Sequence, residues 1–202
     1  MRSPLAGLKR LLLPPPTAAR STELDATRAR ALFQPADMAT SGRRRSLIEF
    51  LGQVSLFEDL GRGDLARLAR IVHERNYGDG ECICEEGRPA GAMFIVRQGV
   101  VEVVRRGASG QDVPLALLEP PASFEESAAI GPGVIRWFSV RARGPVSLLA
   151  LGKSDVDALM VNFPVLANKV LIRLAGIMAS RLQMLIDAET LREPDGDQED
   201  RS

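Results

Sequence analysis

The hydrophobic period of this chain changes twice, and that pattern limits the folds open to it. From Ser46 apolar residues recur at helical spacing. SLIEFLGQVSLF sets Leu47, Phe50, Leu51 and Val54 on one face, and Asp64 starts a second run with Leu65, Leu68, Ala69 and Val72 together. From Tyr77 the runs become short and β-rich, each broken by Gly or Pro. They read YGDGECICEEG, AMFIVRQGVVEVVRRG, VPLALLEP, VIRWFSVRA and VSLLAL, which is the spacing of a sandwich or small barrel. After Lys153 the helical period returns. SDVDALMVNF carries acids in its first turn, as suits the positive end of a helix, and Pro164 opens a long helix, VLANKVLIRLAGIMASRLQMLIDAETL. The order is helices, a β-roll, then helices: an α+β fold with no internal repeat.

The 202 residues suffice for one domain with a sizeable core, plus tails. Residues 1–45 lack sustained apolar periodicity and read as a flexible arm. Within them, residues 23–33 fit a short helix capped by Ser21 or Thr22, and the arm ends in Arg43, Arg44 and Arg45. That triplet reads as solvated linker rather than a docking site for an acidic partner. Residues 46–191 form the ordered unit, and the acidic residues 192–202 form a disordered tail.

Composition excludes several function classes. The formal net charge is zero, so bulk charge draws the chain neither to nucleic acid nor to an acidic membrane. No apolar run is long enough to cross a bilayer, and residues 11–13 are too short for a signal-peptide core, so a cytoplasmic chain is expected. Cys82 and Cys84 are the only cysteines; on a strand their spacing places both on one face as small apolar residues. A zinc site would need two more soft ligands, and His73 is the single histidine. His73 sits in a helical pattern, RLARIVHERNY, and reads as a helix-surface residue. With no nucleophile–base set and no metal cluster, the chain is not expected to be an enzyme.

Between Val54 and Leu185 the motifs, in order, resemble the cyclic-nucleotide-binding domain family, which includes bacterial catabolite activators and kinase regulatory subunits. LFEDL at 56–60 looks like the entry segment, and YGDGECICEEG resembles a Tyr-x-x-Gly-Glu-x-Ile strand and turn. MFIVRQGVVEV, with Gly99 at a hairpin, looks like the next pair of strands. LLEPPASFEES stands in the place of the phosphate-binding cassette, and Arg136 with SVRA closes it. The resemblance implies an antiparallel β-roll of jelly-roll type, flanking helices, and cyclic AMP or cyclic GMP as ligand.

The chemistry of such a cassette is direct. Backbone N–H groups at the start of a short helix can point at phosphate oxygens, and a guanidinium offers a planar fork to two of them. A carboxylate can accept a hydrogen bond from the ribose 2′-hydroxyl. By resemblance Arg136 takes the phosphate position and Glu126 the ribose position, with Ser127 and Ala128 supplying backbone donors. Three residues depart from the pattern. Glu125 replaces the usual Gly, Pro121 cannot donate an N–H, and Trp137 follows Arg136 where a small residue is usual. A carboxylate about 5 Å from the phosphate costs roughly 3 kcal/mol at an effective dielectric of about 20, on the order of a hundredfold in affinity.

Two readings of the pocket stay open. In one, the chain is a non-catalytic regulatory module that senses a cyclic nucleotide and signals to a partner protein through its C-terminal helix. In the other, Arg136 and Glu126 pair with each other and the domain is an interaction scaffold without nucleotide. No DNA-reading segment follows the long helix, so direct nucleic-acid binding is not expected. In that helix Leu171, Leu174, Met178, Leu182 and Leu185 form an apolar stripe, open either to the chain's own roll or to a homodimer through residues 164–191.

Overall fold

Helix α1 (Thr40–Leu51) begins ahead of its apolar positions, so Arg43, Arg44 and Arg45 occupy its first turns rather than the end of an arm. Arginine is a good helix former, and Arg45 pairs with Glu49 one turn on at 3.6 Å. The computed structural model describes residues 40–131 and 133–190. The expected helix at 23–33 and the tail 192–202 lie outside the described residues.

A short 3₁₀ turn (Ser55–Phe57) leads to helix α2 (Arg62–Leu68). The helical reading of the next segment fails at His73, which opens strand β1 (His73–Tyr77). The N–H groups of Ile71 and Val72 both bond back to the Leu68 carbonyl, which ends the helix, and the chain then pairs with the last strand of the sheet. The imidazole Nε2 of His73 lies 3.6 Å from Asp155 Oδ1.

The remaining strands are β2 (Cys82–Cys84), β3 (Ala92–Arg106), β4 (Asp112–Leu118), β5 (Ser123–Phe124) and β6 (Ser139–Gly152). They form one antiparallel six-stranded sheet in the order β1–β6–β3–β4, with β2 on β6 and β5 on β3. Two expected turns lie within continuous strands instead. Gly99 does not reverse the chain; it bends β3, whose register against β6 slips on both sides of Gln98. Gly99 holds φ 85°, and a Cβ there would lie 2.4 Å from the Pro145 carbonyl oxygen, so only glycine fits the bend. Likewise SVRA, the end of the run VIRWFSVRA, shares the 14-residue strand β6 with VSLLAL, while residues 134–138 lie ahead of it. A register shift between Cys82 and Cys84 separates the cysteines, leaving Cys82 exposed and Cys84 buried rather than both on one face.

Alternation along β3 and β6 builds two cores. Phe94, Val96, Leu148 and Ala150 point into the roll, where they meet Val101, Val103, Leu115 and Phe124. Met93, Ile95, Leu149 and Leu151 point outwards and are covered by helices.

Helix α3 (Lys153–Asn162) follows β6 directly, its start fixed by Asp155 Oδ2 accepting from the Gly152 N–H at 2.8 Å. Helix α4 (Pro164–Thr190) is the longest element. Its Leu166, Ala167, Val170, Leu174 and Ile177 are buried against Leu56, Phe57 and the outer face of the sheet. A fully buried leucine contributes about 1.5–3 kcal/mol relative to an exposed one, so this stripe anchors the helix. The expected stripe therefore divides. Leu174 belongs to the chain's own core, while Met178 and Leu182 line a cavity. Among the described residues no helix is long and apolar enough to cross a membrane, and no group of three metal-ligating side chains occurs.

Candidate functional site

The cavity, about 240 Å³, opens between the end of β5, the segment leading into β6, and the last turns of α4. Pairing of β5 with β3 sets Phe124 opposite Phe94, and the rings stack with centroids 5.3 Å apart. At Glu125 the backbone turns sharply through φ 60°, ψ 28°. It is the one non-glycine residue with positive φ among the described residues. Such a conformation costs a residue with a Cβ about 1–2 kcal/mol, and it persists where surrounding contacts over-determine it. The turn delivers Glu126 to the start of a 3₁₀ turn (Glu126–Ala129) and buries both carboxylates.

Arg136 is held by its backbone. Its N–H donates to the Arg88 carbonyl at 3.0 Å, and its own carbonyl accepts from the Gly87 N–H at 2.8 Å. Val134 is fixed in the same way by the Ala90 N–H. The 134–136 segment thus lies against 87–90 and directs the Arg136 side chain to the cavity wall.

Glu126 and Arg136 converge on one cavity, as the motif order implies. They do not pair with each other. Arg136 Nε lies 3.5 Å from Glu125 Oε2, with the two side chains 14% and 4% exposed. That contact is long, and the Nε hydrogen is buried without a hydrogen-bond partner. Glu126 instead receives a fork from Arg181 of α4, Nη1 to Oε2 at 2.9 Å and Nη2 to Oε1 at 2.8 Å, with Ser123 Oγ donating at 2.8 Å. Glu126 is thus well satisfied, whereas Arg136 keeps an unused Nε donor, as does Arg181 at its own Nε.

Burial pushes the Glu125 carboxyl above its usual range, partly offset by Arg136 and reinforced by the neighbouring Glu126. Burial also pushes the Cys84 thiol up to about 12, against the pull of Arg136.

Other expected site residues fall differently. Ser127 lines the cavity. The Ala128 N–H is used on the Glu125 carbonyl at 3.0 Å, so it is not a free donor, and its side chain is buried. Pro121 does not reach the cavity; it sits in the turn closed by the Ala122 N–H on the Glu119 carbonyl. Trp137 is 39% exposed at the rim, edge-on to Phe138, with the Arg105 guanidinium 5.9 Å from its ring. It walls the opening rather than filling the interior.

Arg181 was not anticipated from the sequence. A signal for it existed: positions 170, 174 and 177 are buried, and continuing by four sets 181 on the same inward face. An arginine there requires a buried anion, which Glu126 provides.

Residues 74–163 match the family model of the cyclic nucleotide-binding domain. A cAMP-dependent protein kinase regulatory subunit of Mycosarcoma maydis is 34% identical over 85 residues, 42% of this chain and 16% of that protein. Among solved structures, the Thermus thermophilus catabolite activator protein superposes with a TM-score of 0.61 at 29% identity, covering 68% of this chain and 62% of the other. The N-terminal domain of a Streptomyces coelicolor transcriptional regulator gives 0.61 at 28% identity, covering 73% and 99%. The chain spans under a third of the length of the curated relatives it matches, 28% at most among three of them.

Proposed function

We propose that the chain, whose residues 74–163 match the family model of the cyclic nucleotide-binding domain, is a regulatory module sensing cyclic AMP or cyclic GMP through an atypical cassette. The observation that carries this reading is Arg136, a guanidinium on the cavity wall whose Nε has no hydrogen-bond partner and whose nearest carboxylate stands at 3.5 Å. A cyclic phosphate monoanion supplies the oxygens such a fork accepts. The cavity, at about 240 Å³, falls below the ~300–1,000 Å³ usual for ligand sites, and its wall carries both guanidiniums and both carboxylates. Two relatives are named as cAMP- and cGMP-dependent kinase proteins, which supports the ligand class.

Helix α4 is the output element in this reading. Arg181 ties it to the cassette at the carboxylate that would meet the ribose. A change at Glu126 is therefore felt directly by the helix that carries the signal to a partner protein. The outer face of α4 exposes Val165, Ile172 and Ala179 at steps of seven, interleaved with Asn168, Ala175 and Leu182 at the same step. That pattern supports a parallel pair of α4 helices from two copies of the chain.

A second reading is favoured by one specific feature. Glu125 with Arg136 and Glu126 with Arg181 form two ion pairs of zero net charge, as a scaffold without ligand would require. Titration with cyclic AMP and cyclic GMP, followed by heat and by the fluorescence of Trp137, separates the readings. The sensor reading expects submillimolar binding that Arg136→Ala abolishes. Saturating nucleotide that gives neither heat nor a rise in melting temperature leaves the scaffold reading.

A further inference from the structure

The arginine of the anion site already has an acid beside it. Glu125 Oε2 stands 3.5 Å from Arg136 Nε, inside the cavity wall, on a side chain 4% exposed. Its backbone occupies a left-handed conformation that a glycine would hold without strain, so the position is maintained at a cost. At 3.5 Å the contact is long, and the Arg136 Nε remains without a hydrogen-bond partner.

We propose that Glu125 is a built-in competitor for the anion site: a ligand phosphate reaches Arg136 when this carboxylate takes up a proton from solvent, so binding tightens as pH falls. The inference rests on reading the cavity as a cyclic-nucleotide site. Charge balance supports it. The charged groups facing the cavity are Glu125 and Glu126 on the cassette, Arg136 ahead of β6, and Arg181 on α4. Two carboxylates and two guanidiniums sum to zero. A monoanionic ligand brings the site to one net negative charge, and protonation of Glu125 restores neutrality.

The groups around Glu125 are held differently. Glu126 is held by three hydrogen bonds, two of them from a guanidinium. Cys84 on β2, with its thiol pushed up to about 12, and Tyr77 on β1, raised by burial, are already neutral. The sign is fixed by the same geometry. Burial raises the Glu125 carboxyl and Arg136 pulls it partly back. A bound phosphate occupies Arg136 and adds a like charge, so the carboxyl rises further in the complex. Between the two titrations affinity increases by up to about tenfold for each unit that pH falls.

The test is calorimetric titration of the full chain with cyclic AMP and cyclic GMP at about pH 5.5 and about pH 8, in buffers of different ionisation enthalpy. The expected result is binding about tenfold or more tighter at the lower pH, with protons taken up on binding. Glu125→Gln is expected to bind about tenfold or more tighter than wild type at the higher pH and to lose the pH slope. Glu125→Gly, which also relieves the backbone, should behave alike and serves if the glutamine variant fails to fold. Binding by either variant where wild type shows none supports the competitor. Wild-type binding of equal affinity at both pH values, with no proton uptake, overturns it while leaving the nucleotide site intact. If wild type and both variants bind neither nucleotide at either pH, the cyclic-nucleotide reading fails, and this inference with it.

Discussion

Glu126 and Arg181 are separated by 55 residues of sequence and joined by two hydrogen bonds of 2.8 and 2.9 Å. The pair fastens the last turns of α4 to the cassette, with side chains only 5% and 14% exposed. Arg181→Ala leaves a buried carboxylate with Ser123 as its remaining donor. Breaking such a pair costs about 3 kcal/mol, so the denaturation midpoint should fall accordingly. Amide exchange should quicken beyond Ile177 while the roll stays protected. Unchanged exchange in the last turns of α4 would show that the pair does not hold the helix.

Gly99 and Gly80 make a second test because they share a left-handed backbone and differ in surroundings. A Cβ at Gly99 meets the Pro145 carbonyl at 2.4 Å, whereas one at Gly80 meets nothing within 4 Å. Gly80→Ala should cost about 1 kcal/mol from backbone strain alone. Gly99→Ala should cost clearly more, because β3 must move away from β6. Equal midpoints for the two variants in urea would contradict the tight crossing.

The two cysteines should differ in reactivity. Cys82 is exposed, while Cys84 is 1% exposed with its thiol pushed up to about 12. A thiol-reactive chromophore is expected to modify Cys82 promptly in the folded chain and Cys84 only after unfolding. Prompt modification of both would place Cys84 outside the core.

Ile172→Glu addresses the outer face of α4. Ile172 is 65% exposed and lies at the middle of the sevenfold pattern. Sedimentation of the wild type should report a dimer at micromolar concentration, and the variant should sediment as a monomer with an unaltered melting temperature. A wild type that remains monomeric at high concentration removes the paired-helix arrangement.

Much of this fold was legible because its period is legible. The return to helical spacing at Lys153 coincides with the start of α3, whereas the expected switch at Tyr77 falls at the end of β1 and misses that strand. The convergence of Glu126 and Arg136 could be inferred because the cassette motifs bring both to one end of the roll. Details set by long-range contacts were not accessible. Gly99 looks like a hairpin glycine because its neighbours are strand-like on both sides; only Pro145, far along the chain, decides that the strand bends instead. His73 continues an apolar helical spacing, and pairing with Ala150 overrides it. The Arg136–Glu126 pair of the ligand-free reading does not form, because spacing gives proximity, not direction. The left-handed turn at Glu125 sends that side chain to Arg136 and leaves Glu126 to α4.

In β3 up to Val96 and in β6 from Val146 onward, alternate positions serve different cores, one inside the roll and one beneath the helices. The molecule is consequently a shell with its own lining and a separate lid layer glued to its outer wall. Lifting that layer exposes Met93, Ile95, Leu149 and Leu151 without disturbing Phe94, Val96, Leu148 or Ala150. Work done on the helices therefore reaches the cavity through the Arg181–Glu126 fork, while the lining of the roll keeps its own packing.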